Sequence, residues 1–87
     1  MSGISHRHRY HEAALAFCRK AGYRPELAWT CCDYADMLLA RAQQAAPPQG
    51  DRAKAMSLLD EALAISSELG MRPLMGRVLS RREILRA

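Results

Sequence analysis

The sharpest pattern along the chain lies between Asp51 and Leu69. There Ala55, Leu58, Leu59, Ala62, Ile65, Ser66 and Leu69 recur at i, i+3, i+4, i+7, i+10, i+11 and i+14. This is the spacing of one face of a helix, and Arg52, Lys54, Asp60, Glu61 and Glu68 fall largely off it. It predicts a helix over 51–69. A second stripe, Leu27, Cys31, Tyr34, Leu38 and Ala42, widened by Thr30, Ala35 and Met37, predicts a helix over 25–45. A third, Leu74, Val78 and Leu85 with Met75 and Leu79 on a neighbouring line, predicts one over 73–86. Tyr10, His11, Ala14, Phe17, Cys18 and Ala21 give the first helix, over 5–21. The second and fourth helices are expected to pack on the third.

The breaks between these stripes are as informative as the stripes. Gly-x-Arg-Pro occurs twice, at Gly22–Pro25 and Gly70–Pro73, 48 positions apart. Glycine suits the left-handed residue that closes a helix, and proline suits a first turn, where its missing N–H has no intrahelical partner to lose. Each copy therefore reads as a helix-to-helix corner. A third corner, "AAPPQGD" at 45–51, joins two prolines and a glycine to Asp51, placed to cap the helix that follows. Three corners between four apolar stripes give an all-α fold of four antiparallel helices in a single domain, 1–87.

The 48-residue offset extends beyond the corners. It superposes Ala14, Leu15 and Ala16 on Ala62, Leu63 and Ala64, as well as Gly22, Arg24 and Pro25 on Gly70, Arg72 and Pro73. The first helix thus matches the third and the second matches the fourth, which is an internal repeat. Such a stack covers each helix face with the next helix, and its outermost faces need caps or partners. Tyr10, Leu15 and Phe17 on the first helix and Met75 and Leu79 on the fourth are the expected uncovered groups. Self-association as a two-fold dimer, or exchange of helices, is the simplest way to cover them.

Composition supports this picture and narrows the chemistry. With 49% hydrophobic and 25% charged residues the chain has the balance of a folded protein. Alanine and leucine outweigh β-branched and aromatic residues, which favours helix over strand. No run approaches the roughly 18 apolar residues of a membrane span, and the first residues lack a signal-peptide core, so the cytoplasm is the expected location. The three cysteines, two of them adjacent, do not form a disulfide framework and read as reduced core residues.

All of the net charge of +4 sits in the last segment, Met71–Ala87, where Arg72, Arg77, Arg81, Arg82 and Arg86 stand against only Glu83. Relative to Arg72 they point at about 140°, 180°, 280° and 320° around the helix. A groove-reading helix would gather them on one side and add polar base readers. The pattern therefore argues against nucleic acid as partner, though a basic nucleic-acid accessory protein is the alternative function. Arg81 lies within the apolar stripe and is expected to pair with a carboxylate from the third helix or from a partner chain.

His8 and His11 would share a helix face, with Cys18 two turns further, but a zinc site needs a closed set of ligands and adjacent Cys31 and Cys32 are poorly placed to complete one. No metal site is assigned, and a small metal-binding regulator is the second alternative. Neither cysteine has a base or a helix N-terminus to activate it. Asp33 and Asp36 read as a solvated edge, and there is no Gly-rich phosphate loop. The chain is expected to be non-catalytic and without a cofactor.

"GDRAKAMSLLDEALAI", Gly50–Ile65, resembles the second helix of a tetratricopeptide repeat: Gly50, Ala55, Leu59, Ala62 and Leu63 stand at that repeat's glycine, small, large and Ala-Leu positions. Ala35 and Leu38 in "YADMLLA" match the small and large positions of its first helix. About eight extra residues before Gly50 stretch the unit from the usual thirty-four or so to 48. Long units with "LGMRPL" corners and "DYADMLLAR" helices resemble the helical tails of bacterial ATPase-linked transcriptional regulators and nucleotide-cyclase-like signalling proteins. The resemblance implies a protein–protein interaction or oligomerisation module, contacting its own copies or neighbouring helical repeats. Tyr23 and Trp29, at the first corner, are the expected aromatic anchors for a foreign partner, and Arg77, Arg81 and Arg82 belong to the expected polar rim.

Overall fold

Apolar residues at helical spacing, interrupted by glycine and proline, produce four helices: α1 (Gly3–Ala21), α2 (Arg24–Gln44), α3 (Gln49–Leu69) and α4 (Arg72–Arg86). The structure is a computed structural model. It describes residues 3–44 and 49–86, with side chains over 9–40 and 52–85. Among the described residues there is no strand, and the fold is all-α. The helices begin one or two residues earlier than the sequence pattern predicts. Pro25 and Pro73 are thus the second residues of α2 and α4, where the N–H they lack would still be unpaired within the helix. Asp51 is the third residue of α3 and not its cap. The rest of the third corner, 45–48, and the stripe residue Ala42 lie outside the described side chains.

The two Gly-x-Arg-Pro corners are built alike. Gly22 and Gly70 adopt φ of 76° and 71°, the left-handed region that an L side chain enters only at a cost. The reversal lets the N–H of Tyr23 donate to the carbonyl of Cys18 at 3.0 Å, and that of Met71 to Ser66 at 2.8 Å. This six-residue closure is the Schellman motif, and it satisfies carbonyls the helix end would otherwise leave bare. The next helix starts at once, with Leu27 donating to Tyr23 and Met75 to Met71 at 2.8 and 2.9 Å. At the first corner the motif's usual apolar contact is made by Phe17 and Tyr23, edge to face with ring centroids 5.8 Å apart.

Each tight reversal lays one helix antiparallel against the next. α2 packs on α1 and α3, α3 packs on α2 and α4, and α2 also touches α4. Among the described residues α1 and α4 make no packing contact, so the array is an open stack measuring 36 × 30 × 17 Å and not a closed ring of helices. The expected packing of the second and fourth helices on the third is thus observed. Its core is continuous: Leu27, Cys31, Tyr34 and Leu38 from α2, Leu58, Leu59, Ala62 and Ile65 from α3, Leu74, Val78 and Leu85 from α4. Ala28, Ala35 and Cys32 on α2 and Ala55 on α3 are also fully buried. Such small side chains allow the broad contact between α2 and α3. The buried hydroxyl of Ser66 donates to the carbonyl of Leu63 at 3.2 Å, which removes the penalty of burying it. Leu69, expected on the apolar face, is exposed because α3 reaches its corner there.

A Cβ at Gly22 or Gly70 would meet no atom within 4 Å. Alanine at either position should therefore lose only the conformational term, about 1–2 kcal/mol each. Urea denaturation of Gly22→Ala and Gly70→Ala should show nearly equal losses. A loss at one glycine alone would contradict the equivalence of the two corners.

Candidate functional site

The repeat is visible in side-chain contacts as well as in the backbone. On the first pair of helices Tyr34 donates a hydrogen bond to Glu12 at 2.7 Å. The same two positions 48 residues on are occupied by Arg82 and Asp60, whose Nε and Oδ1 lie 3.3 Å apart. The pair α1–α2 is therefore the counterpart of α3–α4. Helix α3 differs from α1 in being packed on both sides, by α2 and by α4, and its Lys54 and Glu61 also reach Glu12 and Arg19 of α1.

That second packed side decides which apolar residues are covered. Leu58 and Ile65 on α3 are 4% and 5% exposed. Their counterparts on α1, Tyr10 and Phe17, are 71% and 62% exposed. Leu15 is a correction to the sequence expectation: at 2% exposed it belongs to the core and not to an open face, because it lies on the side of α1 that meets α2. His11, on the same helix, is half-buried and stacks on Tyr34 with ring centroids 5.0 Å apart. Phe17, Lys20 and Ala21 line a shallow cavity of about 360 Å³ on the open side of α1.

At the opposite end of the stack, Leu79 and Ile84 on α4 are about half exposed and Met75 partly so. Ile84 was not singled out by the sequence pattern, since it lies off the Leu74–Val78–Leu85 stripe. Under the repeat, Leu79 stands where α2 has the fully buried Cys31. The two ends of the stack thus carry exposed apolar groups on α1 and α4, separated by the width of α2 and α3.

Between them, α2 and α4 form a charged face. Arg77 donates to one oxygen of Asp36 at 2.5 Å and Arg81 to the other at 2.7 Å. Arg77 also lies 3.4 Å from Asp33, and its guanidinium sits 5.9 Å from the ring centre of Trp29. The hydrogen bond to Asp36 raises the pKa of Arg77. Two expectations are corrected here. Arg81 pairs with α2 and not with α3, and Asp36 is no solvated edge but the acceptor shared by two arginines. On the other side, Arg19 binds Glu61 at 2.7 Å, Lys54 binds Glu12 at 2.5 Å and Arg24 pairs with Glu68. These exposed pairs set register more than they add stability.

Tyr23 and Trp29, the expected anchors, are exposed at the first corner and on α2 respectively. Cys31 and Cys32 are fully buried, and Cys18 nearly so. Burial pushes the Cys31 thiol up to about 12 and raises that of Cys32 as well, the opposite of what a nucleophile requires. Among the described residues, no three His, Cys, Asp or Glu side chains converge as a metal site would need. His6 and His8 lie outside the described side chains.

The raised thiol has a thermodynamic consequence. Unfolding returns Cys31 to its ordinary value of 9.0, so the unfolded chain ionises first. Its contribution is present in full below about pH 9 and is lost as pH rises toward 12. The urea midpoint should hold steady at neutral pH and fall above about pH 9, with a shallower fall in Cys31→Ala. On the charged face, Asp36→Ala should cost about 1–2 kcal/mol because it strands two arginines, and Asp33→Ala less than about 0.5 kcal/mol. Equal effects of the two would show that the network around Asp36 contributes nothing of its own.

No protein-family model, curated protein or solved structure matches this chain.

Proposed function

We propose that this chain is a non-catalytic protein-interaction and oligomerisation module of a signalling or regulatory protein, built as a tetratricopeptide-like helical repeat. The observation that carries this reading is the exposure of Tyr10 and Phe17 at positions whose counterparts, Leu58 and Ile65, are core residues. Apolar groups at positions where a repeat ordinarily receives its neighbour favour a protein helix as the occupant. Burial of those faces supplies the affinity, and the arginine and carboxylate rims select partner and register.

The engagement of Arg77, Arg81 and Arg82 by Asp33, Asp36 and Asp60 favours this reading over a nucleic-acid one, since those cations are already neutralised within the fold. The resemblance of the corners and helices to the tails of bacterial regulators supports a signalling context. The first partner in this reading is another copy of the chain or an adjoining repeat.

Absolute molar mass by light scattering, over a tenfold range of concentration in moderate salt, tests it. The expected result is an average mass above the 9.7 kDa of one chain that falls on dilution. Phe17→Ser should lower it without loss of helicity, because that ring is largely solvent-facing. A cooperatively folded species fixed at 9.7 kDa throughout would overturn self-association as the function.

A further inference from the structure

We infer that copies of this chain associate head to tail, with α4 of one copy docking on the outer face of α1 of the next as α2 docks on α3 within the chain. This deepens the interaction reading above and rests on it. The occupant is set by the repeat: α3 shows what covers a helix of the α1 kind, namely α2, and the helix equivalent to α2 that is open on one side is α4. The two free faces are therefore complementary to each other and not each to itself.

Projecting the internal contacts by 48 residues gives the junction. On one copy, Tyr10 and Phe17 take the positions of Leu58 and Ile65. On the other, Met75 and Leu79 take those of Leu27 and Cys31, both buried members of the core. The arginine pairs between α2 and α4 project as well. Arg77 binds Asp36, and the equivalent positions across the junction are Trp29 of one copy and Ile84 of the other. Arg81 takes the place of Asp33, beside the same tryptophan. An exposed aromatic ring thus meets an exposed aliphatic group and an arginine, a favourable set. Five of the exposed large apolar residues, Tyr10, Phe17, Trp29, Leu79 and Ile84, find a common explanation.

Several positions depart from the internal template: the Arg19–Glu61 pair projects onto Ser67 and Ala13, and Ser80 stands where α2 has the buried Cys32. Arg24 pairs with Glu68 inside the chain, but the projected pair is Arg72 with Lys20, two like charges. Glu83 stands where α2 has the buried Ala35. The junction is accordingly weaker than the α2–α3 contact. The like-charge pair gives it a signature: Lys20→Glu restores the opposite charges of the internal pair and should tighten association about two- to fivefold.

A contact between two different faces leaves one of each free, so it extends to a ring or a filament, whereas the two-fold dimer expected from the sequence would stop at twice 9.7 kDa. Complementation separates the two. Phe17→Arg blocks the α1 face and Leu79→Arg the α4 face, both at exposed positions whose folding circular dichroism can verify. Each variant alone should be monomeric, and their mixture should form a one-to-one pair that grows no further. Tyr10→Arg replaces Phe17→Arg if the latter fails to fold. Should either blocked variant associate with itself as strongly as the wild type, the faces are self-complementary and the head-to-tail inference falls while the interaction function stands. Should the wild-type chain remain monomeric from micromolar to millimolar concentration, the head-to-tail inference falls together with self-association as the function.

Discussion

The left-handed glycines at positions 22 and 70 are the constraint on which the rest of the structure depends. A helix ending in a Schellman closure turns back within three residues, and a proline placed just beyond lets the next helix start without losing a hydrogen bond. Two helices joined so tightly must lie antiparallel and side by side, which brings the apolar stripe of each to its neighbour. Because the corner recurs 48 residues later with matching hydrogen bonds, the second pair of helices repeats the first. The fold is in this sense one helix–corner–helix unit used twice.

The pairs are joined through α2 and α3, and the chemistry there favours close packing over reactivity. Alanine, cysteine and serine are buried there among larger apolar residues, and burial keeps the thiols of Cys31 and Cys32 protonated at neutral pH. The charged groups are arranged around this core. Asp36 holds α4 to α2 through two arginines, while Glu12, Glu61 and Glu68 hold α1 and α2 to α3 through Lys54, Arg19 and Arg24. Half-exposed pairs of this kind contribute modestly to stability, but they favour one register because a shifted helix would separate each charge from its partner.

An open stack with two ends has a property that a closed bundle lacks. The residues left uncovered at α1 and at α4 are the repeat equivalents of residues that are covered in the middle, so each end is shaped by the interface it does not make. Tyr10 and Phe17 are larger than Leu58 and Ile65, Tyr10 adds a hydroxyl, and Leu79 is larger than Cys31. Such substitutions are tolerated where a face meets water or a looser contact, and would overpack a finished core.

By itself the sequence determined the number of helices, their corners and the 48-residue repeat, because these depend on local rules: apolar periodicity, the φ freedom of glycine and the missing N–H of proline. It also placed Leu59, Tyr34 and Val78 on buried faces and made Trp29 and Phe17 candidates for exposure. Only the tertiary structure decided that Leu15 is core, that Leu69 is exposed, that Ile84 joins the open face of α4 and that Arg81 pairs with Asp36 of α2. Helical periodicity fixes the angle at which a side chain leaves its helix. Whether that direction meets solvent or a neighbour depends on how the helices flank it, and a one-dimensional pattern cannot distinguish a helix packed on both sides from a helix with one side open.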